Sequence, residues 1–400
     1  MSKIIETERE LEVVSAYDVV VCGGGIAGIS AALASARQGA KTLLIEREFM
    51  LGGLATAGLI AIYLPLCDGM GRQVSFGIAE ELLKLSVAKG YEERPLPEFW
   101  QRPATIEERK AKRYEVQYNP QVFAILAEKL LMDEKVDILY GTVVCNTILQ
   151  DGKITHLITE NKSGRQAIAT KSVVDATGDA DIVHQSGENE AVFAQGNVLA
   201  GWYYEFLNGK VNLRLLGASD VPDGDKDLKK PQYLSNRRFS GLDGKEISEQ
   251  VVLSHNVSLN NFLSKGDVND QHSLVTLPTI PQVRMTRRVD GYYLLKDTDM
   301  HKEFSDSVGL FSDWRKKGPV YELPFTSLFG EKVKNLICAG RNISANDACW
   351  DITRVIPVCA VSGEAAGVAA AISDDFKNID YKKLSEILRN NGVKLHEREL

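Results

Sequence analysis

The stretch Tyr17–Glu46, YDVVVCGGGIAGISAALASARQGAKTLLIE, decides the fold. It opens on Tyr17–Cys22, an apolar, valine-rich run that reads as a buried parallel strand, since such strands are covered on both faces. Glycines end the run. Ile26–Gln38 follows as an alanine-rich helix stopped by Gly39, the residue type favoured just past a helix end. Lys41–Ile45 is the next strand, which completes one βαβ unit in about thirty residues.

Inside this unit, Gly23-Gly24-Gly25-Ile26-Ala27-Gly28 satisfies the GxGxxG pattern. Gly23 permits a tight turn off the strand, Gly25 lets the backbone approach a pyrophosphate, and Gly28 lets the helix pack closely on the sheet. The helix N-terminus offers unpaired N–H groups and the positive end of its dipole to phosphates. Glu46 ends the second strand, where an acid accepts hydrogen bonds from ribose hydroxyls. By itself this pattern serves NAD as well as FAD.

Working outward, Ser75–Ala88 is helical in pattern. A further helix opens at Asn119-Pro120, a capping residue followed by proline at the first helical position, and runs to about Met132. Strand-like segments then follow quickly: Val136–Leu139, Thr142–Leu149, Lys153–Thr159 and Gln166–Thr170, with turns at Asp151-Gly152 and Lys162-Ser163-Gly164. They read as an antiparallel meander inserted in the α/β domain. Ser172–Asp175 returns as a strand and runs into Ala176-Thr177-Gly178-Asp179. From 191 to 331 the chain is more polar and irregular, with loops around Val221–Pro231 and no second glycine fingerprint. Asn335–Ala339 is again a buried strand, and Ser362–Ile372 an Ala/Gly-rich helix.

Composition narrows the function classes. The net charge of −7 argues against a nucleic-acid binder, which carries a basic face. The basic run Arg109–Arg113 follows Glu107 and Glu108 and reads as a solvated helix or loop. None of the six cysteines forms a CxxC pair, so neither a metal knuckle nor a redox dithiol is expected, and no metal site is assigned. The first sixteen residues carry charges throughout and hold no apolar core of a leader. The uncharged runs Val19–Ala36 and Phe49–Cys67 are long enough for a membrane span, but their glycines and Pro65 would break one continuous helix. The expectation is a cytoplasmic protein with neither a membrane nor a nucleic acid as partner.

Four stretches carry a resemblance: YDVVVCGGGIAGISAALASARQGAKTLLIERE, then Leu51-Gly52-Gly53-Leu54-Ala55-Thr56, then VVDATGDADI (Val173–Ile182), then ICAGRNISANDACWDITRVIPVCAVSGEAAGVAAAI (Ile337–Ile372). Together they resemble the bacterial FAD-dependent oxidoreductases of the glutathione-reductase-like superfamily, in the branch that includes the succinate dehydrogenase and fumarate reductase flavoproteins. The resemblance implies an α/β fold: a Rossmann-like FAD-binding domain with a parallel sheet and the inserted meander, built from residues 1–190 and 332–400. Residues 191–331 form a second, α+β cap or substrate domain.

The resemblance also implies FAD as cofactor. Its contacts are expected at Gly23, Gly25, Ile26, Ala27, Gly28, Glu46 and Arg47 around the fingerprint, and at Gly53, Leu54, Ala55 and Thr56 in the loop beside the flavin ring. Val143, Ala176, Thr177 and Gly178 belong to the second motif region. Gly340, Arg341, Pro357, Gly363 and Ala366 belong to the C-terminal strand–helix, whose N-terminus faces the pyrimidine edge of the ring.

The segment Pro281–Leu295 is similar to the branch's arginine-rich motif. Arg284, Arg287 and, beside Gly340, Arg341 are the candidates for binding a carboxylate or polar oxygen of the substrate, or for contacting the cofactor, because a guanidinium fork grips oxyanions in two places. The competing reading is that these arginines are ion pairs holding the cap to the FAD domain. Arg288 and Arg354 are further candidates. Tyr63, Cys67, Asp347 and Cys349 are the polar residues nearest the flavin-contacting stretches. No histidine falls in a recognisable constellation, and nothing matches the histidine segment that tethers FAD covalently in succinate dehydrogenase. The expected activity is therefore hydride transfer at flavin N5 to or from a small organic substrate, with FAD held non-covalently and a separate redox partner or diffusible acceptor completing the cycle. Two alternatives stay open: an electron-relay flavoprotein subunit of a larger complex, and an NAD-dependent Rossmann dehydrogenase.

Overall fold

A computed structural model describes residue 4, residues 8–217 and residues 233–400. Strand β1 (Val13–Cys22) leads into helix α1 (Ile26–Arg37) and strand β2 (Thr42–Ile45), followed by β3 (Ile62–Tyr63), α2 (Ile78–Ser86), α3 (Ile106–Lys110) and β4 (Val116–Gln117). Helix α4 (Pro120–Asp133) precedes β5 (Asp137–Leu139), β6 (Val143–Gln150), β7 (Lys153–Asn161) and β8 (Gly164–Asp175). Then come α5 (Asp181–Ser186), β9 (Glu190–Val192), β10 (Gly201–Leu207), β11 (Lys210–Leu216), α6 (Gly244–Leu263), β12 (His272–Thr276) and β13 (Arg287–Val289). Strands β14 (Ser307–Ser312), β15 (Val320–Pro324) and β16 (Leu336–Cys338) lead to helices α7 (Asp347–Thr353), α8 (Ile356–Ile372) and α9 (Tyr381–Asn390). The segment Val221–Pro231, expected to form loops, lies outside the described residues.

The main sheet has the order β5-β2-β1-β8-β7-β6, with β16 also paired to β8. Strands β5, β2, β1, β8 and β16 are parallel, and β6–β7–β8 are antiparallel. Two expectations change here. Val136–Leu139 is not part of the meander: β5 pairs parallel with β2, as a strand returning after the α4 crossover does. Gln166–Thr170 and Ser172–Asp175 are one strand, β8, whose first half lies against β7 and whose last residues lie against β16. The polar interruption is Lys171, whose ammonium reaches Asp18 at 2.7 Å in solvent while the backbone continues unbroken. The antiparallel β6–β7–β8 meander thus continues the parallel sheet.

Helix α8 is the spine of the core, with every residue from Ile356 to Ala370 buried. It crosses α1 at small residues. A Cβ on Gly363 would overlap the Ala27 carbonyl, and one on Gly367 would overlap the backbone of Ala31. Ser362 Oγ accepts the Gly340 N–H at 2.9 Å and fixes the loop after β16.

On another face α8 meets α2. The Ile78 N–H, in the first turn of α2, donates to Glu364 Oε2 at 2.8 Å, and Gly77 adopts φ +62° where the carboxyl approaches. Burial pushes the Glu364 carboxyl up to about 8, against which this one backbone donor works weakly. The folded state therefore holds a proton that the unfolded chain has released above the usual carboxylate range. Stability should fall as pH rises from about 4.5 to about 8, the span between the two values, and level off above it. In Glu364→Gln the amide oxygen can still accept from Ile78, so that slope should flatten. Melting temperatures of both proteins between pH 5 and 9 check this, with parallel curves counting against it.

The second layer is the sheet β11-β10-β12 covered by α6. Glu205, sealed from solvent, is gripped by Arg214 at 2.6 Å and Lys265 at 2.8 Å, which ties the C-terminal end of α6 to the sheet. Asn197 is the junction of three segments. Its amide donates to the carbonyls of Phe239 and Met285, and its oxygen accepts the N–H groups of Arg284 and Met285. Among the described residues, no single helix is long and apolar enough to cross a membrane.

Candidate functional site

A cleft of about 570 Å³ opens at the carboxyl ends of β1, β2 and β8, where Cys22, Ile45 and Ala176 reach its wall. This is the end of an α/β sheet at which ligands bind, since helix N-termini converge there. Two helices do so. Helix α1 begins after Gly25 with no side chain capping it, and Ile26 and Ala27 line the cleft. Helix α8 begins after Val355, also uncapped, and Val355 and Ile356 line the same cleft. Each N-terminus leaves N–H groups without an intrahelical acceptor, and both favour negative charge.

The glycines divide by what limits them. Gly23 has φ +100°, and a Cβ there would meet the Ala176 carbonyl at 2.5 Å. At Gly28 a Cβ would overlap the Gly23 carbonyl. Both glycines are demanded by the protein's own packing. Gly25 is different. Its backbone, φ −68° and ψ −177°, suits any residue, and a Cβ would meet nothing within 4 Å. Among the described residues nothing forbids a side chain at Gly25, and the space beside it is open to a ligand.

Glu46 is buried at the end of β2. Its Oε2 accepts the Gly24 N–H at 2.5 Å and its Oε1 the Glu48 N–H at 2.8 Å. Burial raises its carboxyl above the usual range, and the two backbone donors pull it back. A carboxylate has about four acceptor positions, so two remain for ribose hydroxyls. These donors, this acid and the empty approach at Gly25 fit the ADP half of FAD.

The cleft gathers most of the residues expected to meet the cofactor. Gly23, Gly25, Ile26, Ala27, Glu46 and Arg47 line it, as do Gly53, Leu54 and Ala55. So do Val143, Ala176, Thr177, Gly178, Gly340 and Arg341. The others stand behind the wall. Thr56 closes its own loop by donating to the Leu51 carbonyl at 2.5 Å, and Gly28 packs under the fingerprint turn. Pro357 and Ala366 are buried within α8, and Gly363 sits in the α1–α8 crossing. The small residues of α8 thus serve helix packing, and only the start of that helix reaches the cleft.

The three arginines stand differently: Arg284 and Arg341 line the cleft and Arg287 does not. Arg287 does not line the cleft; it donates to Asp181 at 2.6 Å and to the Asp179 carbonyl at 3.1 Å. Arg341 lines the cleft but holds the carbonyls of Val283 and Arg284 at 3.0 and 2.9 Å and Asp179 at 3.2 Å. Its guanidinium lies on Gly178, at φ +80°, where a side chain would displace it. Both arginines tie residues 283–287 to the second motif. Arg284 is buried on the cleft wall, donating to Gln282 at 2.8 Å, with its guanidinium 5.8 Å from the Trp202 ring. Gln282 in turn donates to the Gly58 carbonyl at 2.8 Å, docking this segment on the loop beside the fingerprint.

Asp175 is buried and anchors the second motif, accepting from the backbone of Thr177, Ile182 and Val183. Burial, then the neighbouring Asp179 and Asp175, push Asp181 up to about 6, despite Arg287. Tyr63 donates to the Ala79 carbonyl at 2.7 Å, and the Cys67 sulfur accepts the Tyr114 N–H at 3.2 Å. These two, with Asp347 and Cys349, lie off the cleft.

No sequence signal marked most of the opposite wall: Ile60, Ile62 and Leu64, the first turn of α6 at Ile247, and Thr279 and Ile280, which adjoin Pro281 and Val283 of the arginine-rich segment. Ile60, Ile62 and Leu64 follow the two-residue period of a strand, but the intervening Ala61 and the aromatic ring of Tyr63 offer apolar surface as well and are fully buried, which hid the alternation. Cys359, in the first turns of α8, also lines the cleft, its thiol pushed up to about 12 by burial. None of the six histidines does.

Comparison with known proteins gives a family. A model described as FAD dependent oxidoreductase matches residues 18–199 and 242–388, well over half of the chain. Among curated proteins, thiamine thiazole synthase of Methanococcus vannielii is 32% identical over 42% of this chain and 58% of its own length. Digeranylgeranylglycerophospholipid reductase 2 of Methanothermobacter thermautotrophicus is 25% identical over 62% of each. The chain spans less than two thirds of the length of these relatives. A geranylgeranyl bacteriochlorophyll reductase-like structure from Thermoplasma acidophilum aligns at 16% identity and a TM-score of 0.47, over 94% of this chain and 84% of that one.

Proposed function

We infer the function from one premise: the chain belongs to the FAD dependent oxidoreductase family, and it is an FAD-binding enzyme of oxidation and reduction. We propose that it acts on a small organic substrate, with FAD held non-covalently along the cleft and residues 191–331 selecting the substrate. When bound, FAD supplies a ring that takes or gives a hydride at N5. The observation that carries this reading is the pairing of two uncapped helix N-termini with the open approach at Gly25.

In this reading the first-turn N–H groups of α1 hold the pyrophosphate, and Glu46 holds the adenosine ribose. The start of α8 places the positive end of a dipole beside the ring, where it favours negative charge. Arg341 and Arg287 act one step back, fastening the cap segment to the second motif. The aliphatic wall at Ile60, Ile62 and Leu64 keeps water from the reacting face. We place the chain in the glutathione-reductase-like superfamily, near the succinate dehydrogenase and fumarate reductase branch, and in the cytoplasm.

Photoreduced holoenzyme, mixed anaerobically with a panel of small organic oxidants, tests the substrate claim. Reoxidation by a member of the panel is expected. Reoxidation only by a co-purifying protein would replace this reading with that of an electron-relay subunit.

A further inference from the structure

Beyond the stretches that hold the dinucleotide, the far wall of the cleft is aliphatic, formed by Ile60, Ile62, Leu64, Ile247, Ile280 and Val283. Arg354 brings a polar edge to this surface. It follows the last turn of α7 and immediately precedes Val355, so it stands where the uncapped N-terminus of α8 opens. Its side chain is only 9% exposed and lines the cleft.

The guanidinium is held from behind. Its Nε donates to Asp351 Oδ1 at 3.0 Å, and Nη2 grips the same oxygen. The other Asp351 oxygen accepts Arg315 Nη1 at 3.2 Å, and Arg315 is itself clamped on Asp313 at 3.1 and 3.2 Å. This arrangement fixes the plane of the Arg354 fork. Its Nη1 has no partner among the described residues, and it is not one of the sealed, unsatisfied atoms of the interior. A buried donor held rigid in this way loses little freedom when it binds an acceptor.

Charge decides which acceptor suits it. Asp351 and Asp313 already offset the charges of Arg354 and Arg315. In the reading above the N-terminus of α8 faces the flavin ring, and Arg354 itself offers hydrogen bonds with its charge already met by Asp351. A carboxylate brought there would add an unbalanced buried charge, which is costly, whereas a neutral carbonyl oxygen adds none. Pockets of this make-up, apolar walls with a few fixed polar groups, orient their ligands by the polar contact.

We propose that Arg354 anchors the substrate, and that the substrate is an apolar, uncharged carbonyl compound whose oxygen accepts from Arg354 Nη1. The assignment deepens the oxidoreductase reading above and rests on it. Donation from the guanidinium polarises the C=O bond, and Asp351 acts as the positioning residue behind it.

Three probes of similar size test the proposal on the FAD-loaded protein: acetophenone, benzoate and ethylbenzene, each titrated while the visible flavin spectrum is followed. Acetophenone should bind at least about tenfold more tightly than the other two, the scale of one good hydrogen bond. Its C=O stretch, read by difference infrared spectroscopy, should fall on binding. Arg354→Met should remove both effects, and Arg354→Lys should keep part of the preference. Tighter binding of benzoate, no measurable binding of acetophenone, or an unchanged preference in Arg354→Met overturns the proposal. So does an Arg354→Met variant that changes only flavin retention or reduction potential, because the arginine then serves the cofactor. Flavin content separates the two levels: a yellow protein without the carbonyl preference sinks this proposal alone, whereas a chain that takes up no FAD sinks the underlying reading as well.

Discussion

Gly25→Val should purify as a folded protein without flavin. The backbone at this position is in an ordinary extended conformation, and a Cβ meets no protein atom within 4 Å. The apo variant should therefore melt close to the apo wild type, within the ~0.5 kcal/mol usual for a substitution that disturbs no packing. The branched side chain fills the approach to the uncapped start of α1, so FAD affinity should fall by about 100-fold or more, roughly 2.7 kcal/mol. Apo proteins must be compared, since bound cofactor itself raises the melting temperature. Stoichiometric flavin in purified Gly25→Val would remove the pyrophosphate from this position.

Gly367→Leu should do the reverse: unsettle the fold first and lose flavin as a consequence. A side chain there runs into the Ala31 backbone of α1, which cannot turn aside as a flexible side chain would. Overpacking of a core costs about 1–3 kcal/mol, and a clash with helix backbone belongs at or above the upper end. Helices α1 and α8 would be forced apart, and both N-termini that open on the cleft would move with them. Thermal melts of the apo variant should show a large drop, and FAD added back should bind weakly. A normal melting temperature would mean that α8 can shift against α1 without cost. The two variants together separate a glycine kept for a ligand from one kept for packing.

How much of this was legible from residue order varies along the chain. The βαβ unit at Tyr17–Glu46 was readable because each signal is local: a β-branched run, three glycines, an alanine-rich helix and an acid ending the next strand. Asn119-Pro120 marked the start of α4 for the same reason, and its side chain does cap Val122. What was misread depends on contacts distant in sequence. Lys171 looked like a break between strands because nothing local shows that β8 changes partners around it. Gly363 looked like a cofactor surface because a glycine on a helix reads the same whether its neighbour is a flavin or another helix. The arginines of 284–288 were visible as a cluster, but Asp181, which holds Arg287, lies 106 residues earlier, and Asp179, which holds Arg341, lies 162 residues earlier. The apolar far wall was hidden because Ile60–Leu64 is apolar on both faces. Arg354 was visible in the sequence, but the Asp351–Arg315 clamp behind it emerges only when residues 313–315 fold against α7.

In the proposed function FAD occupies the cleft between α1 and α8 without a covalent bond. Titrating the apo chain with FAD and, separately, with NAD tests this most directly, with flavin fluorescence and thermal stability as readouts. The result predicted is saturation at one FAD per chain, complete release of that flavin on denaturation, and no comparable response to NAD. A chain stabilised by NAD and indifferent to FAD, or one that retains flavin after denaturation, would contradict it.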